Sequence, residues 1–247
     1  MSYLKKVSGK GFQSKYIGIY KVPGIQQEKN AECGCCCVGL VLRLLQHDHA
    51  DDITPEMLRA ESQKYPGGYR PSPVDVIQAE HMPEGLGAAM GLLKASMEEA
   101  RSNVSEDEAA SLGWPTRREP SLQYLGSTLM NMEKMLKLSY GYKDTALHKG
   151  PSIMPVLGLT SIARPLIVAV AFPNVGRHFV VACGHQRAHQ QPRRPKRFPT
   201  DDPRVDEYLF SDPGHGIGWL RLDKDEVYEP QLGMKGRLTD EFISPTW

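Results

Sequence analysis

The spacing of hydrophobic positions changes along the chain and predicts helices before strands. Residues 33–46 are almost continuously apolar, which indicates a helix that is buried on most sides. A shorter helix is predicted within residues 51–61, with Thr54 as its N-cap and Pro55 at the first helical position. Residues 121–138 carry apolar positions at helical spacing and predict a third helix.

The last third of the chain contains three apolar runs of strand length, which are residues 166–172, 178–183 and 208–210. A short turn-forming stretch joins the first two runs, as is typical of neighbouring antiparallel strands. Helices followed by an antiparallel sheet predict an α+β fold in which the two parts meet around a cleft.

Composition narrows the class of protein without identifying its activity. Hydrophobic residues make up 40% of the chain and charged residues 24%, with a net charge of +1. We therefore expect a soluble globular protein with no nucleic-acid partner and no membrane partner. The N-terminus lacks the apolar stretch of a secretory signal, so we expect a cytoplasmic protein or one delivered into a target cell by another route.

The five cysteines are unevenly placed, at Cys33, Cys35, Cys36, Cys37 and Cys183. An odd number with four in such close succession is a poor disulfide framework and predicts reduced thiols. Adjacent cysteines on one helix point in different directions and cannot close a tetrahedral metal site alone. We expect neither a metal nor another cofactor.

The segment from Gln27 to Gly34 has the pattern of a nucleophilic cysteine site. Cys33 stands where the apolar helix begins, and the dipole of that helix favours a thiolate. Gln27, six residues earlier, supplies an amide that could donate to an oxyanion. Gly34 would let a substrate carbonyl approach the backbone closely.

Two downstream residues could complete such a site. His178 opens a predicted strand, so its ring can face a cleft while alternate residues pack inward. Asp212 ends the next strand at an Asp-Pro-Gly sequence. Because antiparallel neighbours bring the start of one strand beside the end of the other, we expect Asp212 to lie within reach of His178. A histidine base oriented by a polar residue is what a nucleophilic thiol needs.

Together these segments resemble the double-glycine peptidases that process bacteriocins, a papain-like family. That family shows a glutamine six residues before the cysteine of Asp-Cys-Gly and then an apolar helix, and this chain has Gln27 six residues before the cysteine of Glu32-Cys33-Gly34. A histidine at the start of a valine-rich strand and an Asp-Pro followed by glycine correspond to His178 and Asp212. The helix containing residues 126–129 is similar to the middle helix of the family.

The resemblance implies a papain-like fold and a cysteine peptidase. It makes Cys33 the nucleophile, His178 the general base and acid, and Asp212 the residue that orients the imidazole. Gln27 would be the oxyanion donor, and Gly34 would contact the substrate. The expected substrate is a protein or peptide that is cut after a Gly-Gly pair.

The chain departs from the family in the distance between its cysteine and its histidine, which is much longer here. The excess lies mainly in residues 61–118, which we expect to be an inserted helical segment within a single domain over residues 1–247. We expect a stand-alone peptidase and not the processing domain of an exporter. In this the chain resembles bacterial effectors and interbacterial toxins, for which an inhibitor or immunity protein would be an expected partner.

Two other functions stay open from the sequence. The same triad could transfer an acyl group to an amine or deamidate glutamine, which would release ammonia without new chain ends. Alternatively, the chain could be a non-catalytic binding protein. In that case Cys33 would react with iodoacetamide no faster than an ordinary exposed thiol.

Overall fold

The computed structural model of this chain describes residues 12–17, 20–29, 31–70, 126–150, 152–172, 176–186, 206–222 and 226–245. The predicted helical insertion over residues 61–118 therefore lies mainly outside the described residues. The remaining segments include every residue that the sequence places at the candidate site.

The three predicted helices precede most of the sheet, but a hairpin of two strands comes before the first helix and a fourth, short helix lies between two strands of the sheet. The helices are α1 (Cys33–Leu44), α2 (Pro55–Ser62), α3 (Leu129–Lys134) and α4 (Met154–Leu157), with a π-helical turn over Met135–Ser139. The strands are β1 (Phe12–Ile17), β2 (Tyr20–Ile25), β3 (Ala146–Lys149), β4 (Leu166–Phe172), β5 (Gly176–Gln186), β6 (Glu207–Asp212), β7 (Gly216–Arg221), β8 (Val227–Tyr228) and β9 (Gly236–Ser244).

The strands β3 to β9 form one seven-stranded sheet. Its order is β3-β9-β4-β5-β6-β7, with β8 paired to β9, and each of these pairings is antiparallel. Strands β1 and β2 pair with each other as a separate hairpin. The predicted α+β class with an antiparallel sheet is confirmed.

The central strand β4 is apolar throughout because both of its faces are covered. Ile167 and Ala169 belong to the core that contains α1, whereas Val168 and Val170 belong to the core that contains α4. The helix α1 is buried along its whole length except at Arg43, as the apolar run predicts. None of the described helices is long and apolar enough to span a membrane.

Two helix starts follow from local side-chain chemistry. The Thr54 hydroxyl accepts a hydrogen bond from the Met57 backbone at 3.2 Å, so the predicted cap of α2 is confirmed. The predicted helix over residues 121–138 begins later than expected. Thr128 caps α3, and Gly126 lies outside the helix with a φ of 82°. A Cβ on Gly126 would lie 2.4 Å from the Ala31 carbonyl oxygen, so only glycine fits there.

Candidate active site

The five cysteines differ in exposure, and Cys33 alone keeps a measurable accessible surface. It is 7% exposed at the first position of α1, whereas the other four are at 0%. Burial raises the pKa of the Cys183 thiol to about 12. Burial also raises the pKa values of the other three completely buried thiols. These four thiols stay protonated at neutral pH, which leaves Cys33 as the candidate nucleophile.

The pairing of β5 with β6 brings His178 and Asp212 together, as the strand order predicts. The strand β5 begins at Gly176, two residues earlier than predicted, and His178 is its third residue. Nε2 of His178 lies 2.8 Å from Oδ1 of Asp212. The Cys33 side chain lies close enough to the imidazole to raise the pKa of His178. Because Nε2 is engaged by the carboxylate, Nδ1 is the ring nitrogen that remains for the thiol.

His178 and Asp212 each stabilise the charged form of the other. Burial lowers the pKa of His178, but the Asp212 charge, the nearby Cys33 side chain and the hydrogen bond to Asp212 outweigh it. The resulting pKa is well above the usual 6.5. Burial raises the pKa of Asp212, but the His178 charge and hydrogen bond outweigh that effect and leave it below 3.8. At neutral pH the two groups therefore form an imidazolium–carboxylate pair.

Three groups other than His178 also hydrogen-bond Asp212. Its Oδ1 also accepts hydrogen bonds from the backbone N–H groups of Gly214 at 2.7 Å and His215 at 3.0 Å. The Tyr228 hydroxyl donates to Oδ2 at 2.7 Å from a fully buried position. These contacts fix the plane of the carboxylate and therefore the direction in which it holds the His178 ring.

One arrangement of ligand atoms near Asp212 has the size of a metal site. His178, Asp212 and His215 each place a potential ligand atom within 4.8 Å of the others, and the two imidazole rings meet edge to face at 5.5 Å. However, the oxygens of Asp212 already accept four hydrogen bonds. A cation would have to displace these donors, so we interpret the cluster as a hydrogen-bonded network.

Gln27 lies against the turn that carries Asp212. Its backbone N–H donates to the Pro213 carbonyl at 3.0 Å. Its side-chain Oε1 is buried and has no hydrogen-bond partner among the described residues. A Cβ built on Gly214 would lie 3.3 Å from Cε1 of His178 and 3.7 Å from this oxygen. The structure therefore brings Gln27 to the histidine side of the site, and its role as an oxyanion donor stays a prediction.

Gly34 has a packing reason that the sequence did not reveal. A Cβ at this position would lie 3.2 Å from Sδ of Met132 and 3.3 Å from Cβ and the carbonyl oxygen of Ser127. The missing side chain therefore lets α1 approach the segment that leads into α3. Contact between Gly34 and a substrate stays a prediction.

No protein-family model matches this chain, and no curated protein or solved structure is significantly similar to it. The residues of the candidate site and their geometry are therefore the basis for assigning a function to this chain.

Sequence reasoning missed two residues of this site. Glu32 has no role in the sequence-based prediction, yet it directly precedes the candidate nucleophile and is completely buried and hydrogen-bonded. Its position directly before Cys33 was the available signal. Tyr228 had no such signal, because it reaches Asp212 only through the pairing of β8 with β9.

Proposed function

We propose that this protein is a papain-like cysteine peptidase in which Cys33 is the nucleophile. The observation that carries the proposal is the 2.8 Å hydrogen bond between His178 and Asp212, together with a Cys33 side chain close enough to the imidazole to raise its pKa. A thiol at the start of a buried helix, a protonated imidazole and a buried carboxylate are the components that this chemistry requires.

In the proposed reaction, the Cys33 thiolate attacks a backbone carbonyl carbon, and the carbonyl oxygen becomes an oxyanion. The Gln27 side chain and the backbone N–H of Cys33 donate hydrogen bonds to this oxygen. As the first residue of α1, Cys33 has an N–H that no intrahelical carbonyl can satisfy. His178 gives its proton to the amine, which leaves as the C–N bond breaks.

The second half of the reaction releases the acyl group. Water gives a proton to His178 and attacks the thioester carbon, so the C–S bond breaks and Cys33 is regenerated. On the resemblance described above, we propose that the bond follows a Gly-Gly pair in a specific target protein. On the same ground, we propose that the protein acts as a bacterial effector or toxin.

The proposal is tested by mass spectrometry of new protein N-termini in a bacterial lysate. The samples are treated with wild type, Cys33→Ala or Cys35→Ala, where the last variant removes a buried thiol from the same helix. We expect new termini with wild type and Cys35→Ala, and none with Cys33→Ala.

Two other results would contradict hydrolysis of peptide bonds. Identical termini in all samples would remove the support for a peptidase. Ammonia release or amine adducts that depend on Cys33, without new chain ends, would assign the triad to deamidation or acyl transfer.

A further inference from the structure

A buried carboxylate stands directly before the proposed nucleophile. Glu32 has no exposed surface, and its Oε2 accepts hydrogen bonds from the backbone N–H groups of Glu28 at 2.8 Å and Lys29 at 2.9 Å. Its Oε1 bonds the guanidinium of Arg59 on α2. Burying a carboxylate is costly unless it is paired and hydrogen-bonded, so this arrangement needs an explanation beyond simple packing.

These hydrogen bonds hold residues next to the two proposed oxyanion donors. The Glu32 side chain, directly before Cys33, accepts from the backbone of Glu28 and Lys29, which follow Gln27. Gln27 is itself tied to the Asp212 turn by the bond from its N–H to the Pro213 carbonyl. The hydrogen bonds of Glu32 therefore link the neighbours of Gln27 to the residue before Cys33.

Arg59 makes a carboxylate acceptable at this position. An uncompensated negative charge one residue from Cys33 would oppose the thiolate and the oxyanion. The opposing effects of Glu32 and Arg59 are seen at the neighbouring Cys36 thiol. Burial raises the pKa of this thiol most, the Glu32 charge raises it further and the Arg59 charge lowers it. Glu32 thus accepts hydrogen bonds from the Glu28 and Lys29 N–H groups, while its pairing with Arg59 leaves little net charge near Cys33.

We infer that Glu32, paired with Arg59, is a positioning residue that holds Gln27 and the Cys33 N–H where they can bind the oxyanion together. The inference rests on the proposed function. Oxyanion donors must lie within hydrogen-bonding distance of the developing charge, so a small displacement of either donor weakens the stabilisation of the transition state.

The competing explanation is that the ion pair only ties α2 to the start of α1. If Glu32 had a purely structural role, its substitution would lower the stability of the protein. It would not change the alkylation of Cys33 relative to the binding of an aldehyde at Cys33. Alkylation by iodoacetamide needs a reactive thiol and forms no oxyanion. Binding of a peptide aldehyde forms a hemithioacetal whose oxygen occupies the oxyanion position.

The test compares these two reactions in Glu32→Gln and in a matched control, Glu207→Gln. Glu207 is also a nearly buried glutamate paired with an arginine, Arg221, but it lies at the opposite end of β6 from Asp212. The probes are iodoacetamide and a peptide aldehyde that carries the acyl-side sequence of a wild-type cleavage site. Thermal melting measures the stability of each variant.

For Glu32→Gln we expect kcat/KM to fall by about tenfold to a hundredfold, mainly through kcat, as expected for donors displaced by about 1 Å. The aldehyde should bind more weakly by a similar factor, while the rate of Cys33 alkylation stays close to that of wild type. Glu207→Gln should lose stability and keep both reactions. The double variant Glu32→Gln/Arg59→Met, which removes both charges of the ion pair, should repeat the pattern of Glu32→Gln and serves in its place if that variant does not fold.

Two results would overturn the inference. One is a folded Glu32→Gln or Glu32→Gln/Arg59→Met variant with wild-type affinity for the aldehyde. The other is a loss of alkylation as large as the loss of kcat/KM, which would place the effect on the thiol instead of the oxyanion. A wild type that neither cleaves peptides nor reacts at Cys33 would contradict the proposed function itself, before any variant is compared.

Discussion

At the scale of single residues, Asp212 determines the charge state of the candidate site. Its side chain is fully buried, and its two oxygens accept four hydrogen bonds. These donors keep the carboxylate ionised, and the carboxylate in turn keeps His178 protonated well above pH 6.5. The imidazolium is the form that can donate a proton to a leaving amine.

The dependence of His178 on this charge predicts the effect of Asp212→Asn on the pH profile. Asparagine keeps the shape of the side chain but removes the charge that raises the pKa of His178. The alkaline limb of kcat/KM should therefore move to lower pH, by about 1 to 3 units for the loss of an adjacent opposite charge. The limb reports the coupled Cys33–His178 pair and not one residue alone.

Tyr228→Phe is the control for that measurement. It removes one hydrogen bond to Asp212 and leaves the negative charge in place. We expect its alkaline limb to stay close to that of wild type. Superimposable profiles for wild type and Asp212→Asn would contradict the assigned role of the carboxylate.

At the scale of elements, α3 fixes the end of α2 through a buried asparagine. Nδ2 of Asn131 donates to the carbonyls of Ser62 at 2.9 Å and Tyr65 at 3.1 Å, which lie at and just beyond the end of α2. The Ser62 carbonyl has no donor within α2 and accepts another bond, from the Tyr65 N–H at 3.3 Å, so the Asn131 side chain acts as a further cap supplied from another element. Arg59, the partner of Glu32, lies on the same helix α2.

We expect Asn131→Ala to lower the free energy of unfolding by about 1 to 3 kcal/mol, because the Ser62 and Tyr65 carbonyls would lose the hydrogen bonds from Asn131. Met130→Ala is the matched control, since Met130 is the preceding residue of α3 and is 54% exposed. Urea unfolding should show a change within about 0.5 kcal/mol for the control. Equal stabilities for the two variants would contradict the capping role.

Local signals predicted these elements well where the cause was local. Thr54 and Pro55 mark the start of α2, and the apolar run marks α1, because caps and periodicity act within a few residues. Helical spacing predicts the start of α3 too early, because the pattern of apolar positions takes no account of the backbone conformation at Gly126. That glycine is required by the carbonyl of Ala31, which is distant in sequence.

At the scale of the whole molecule, the sheet combines local and distant pairings. The strands β4 to β7 follow one another as antiparallel neighbours, and this order made the approach of His178 to Asp212 predictable. The strand β9 instead inserts between β3 and β4 and carries β8 with it. Tyr228 reaches Asp212 through that long-range pairing, which no local pattern encodes.

The two cores show why the arrangement of the sheet matters for the site. One core joins α1, α2 and α3 to one face of the sheet, and the other joins α4 to the opposite face. Cys33 belongs to the first core, while Tyr228 belongs to the second. The proposed nucleophile and the hydroxyl that hydrogen-bonds Asp212 thus belong to the cores on opposite faces of one sheet.

The measurement that tests the account most directly is the rate at which iodoacetamide modifies each cysteine, resolved by peptide mass spectrometry. Exposure alone would make Cys33 faster than the four buried thiols, so the decisive comparison is with His178→Ala. The account predicts that Cys33 reacts fastest in wild type and that its rate falls by tenfold or more, about 1.4 kcal/mol in the barrier, without the imidazole. An unchanged Cys33 rate in a folded His178→Ala variant would contradict the reactive pair at the centre of the proposed site.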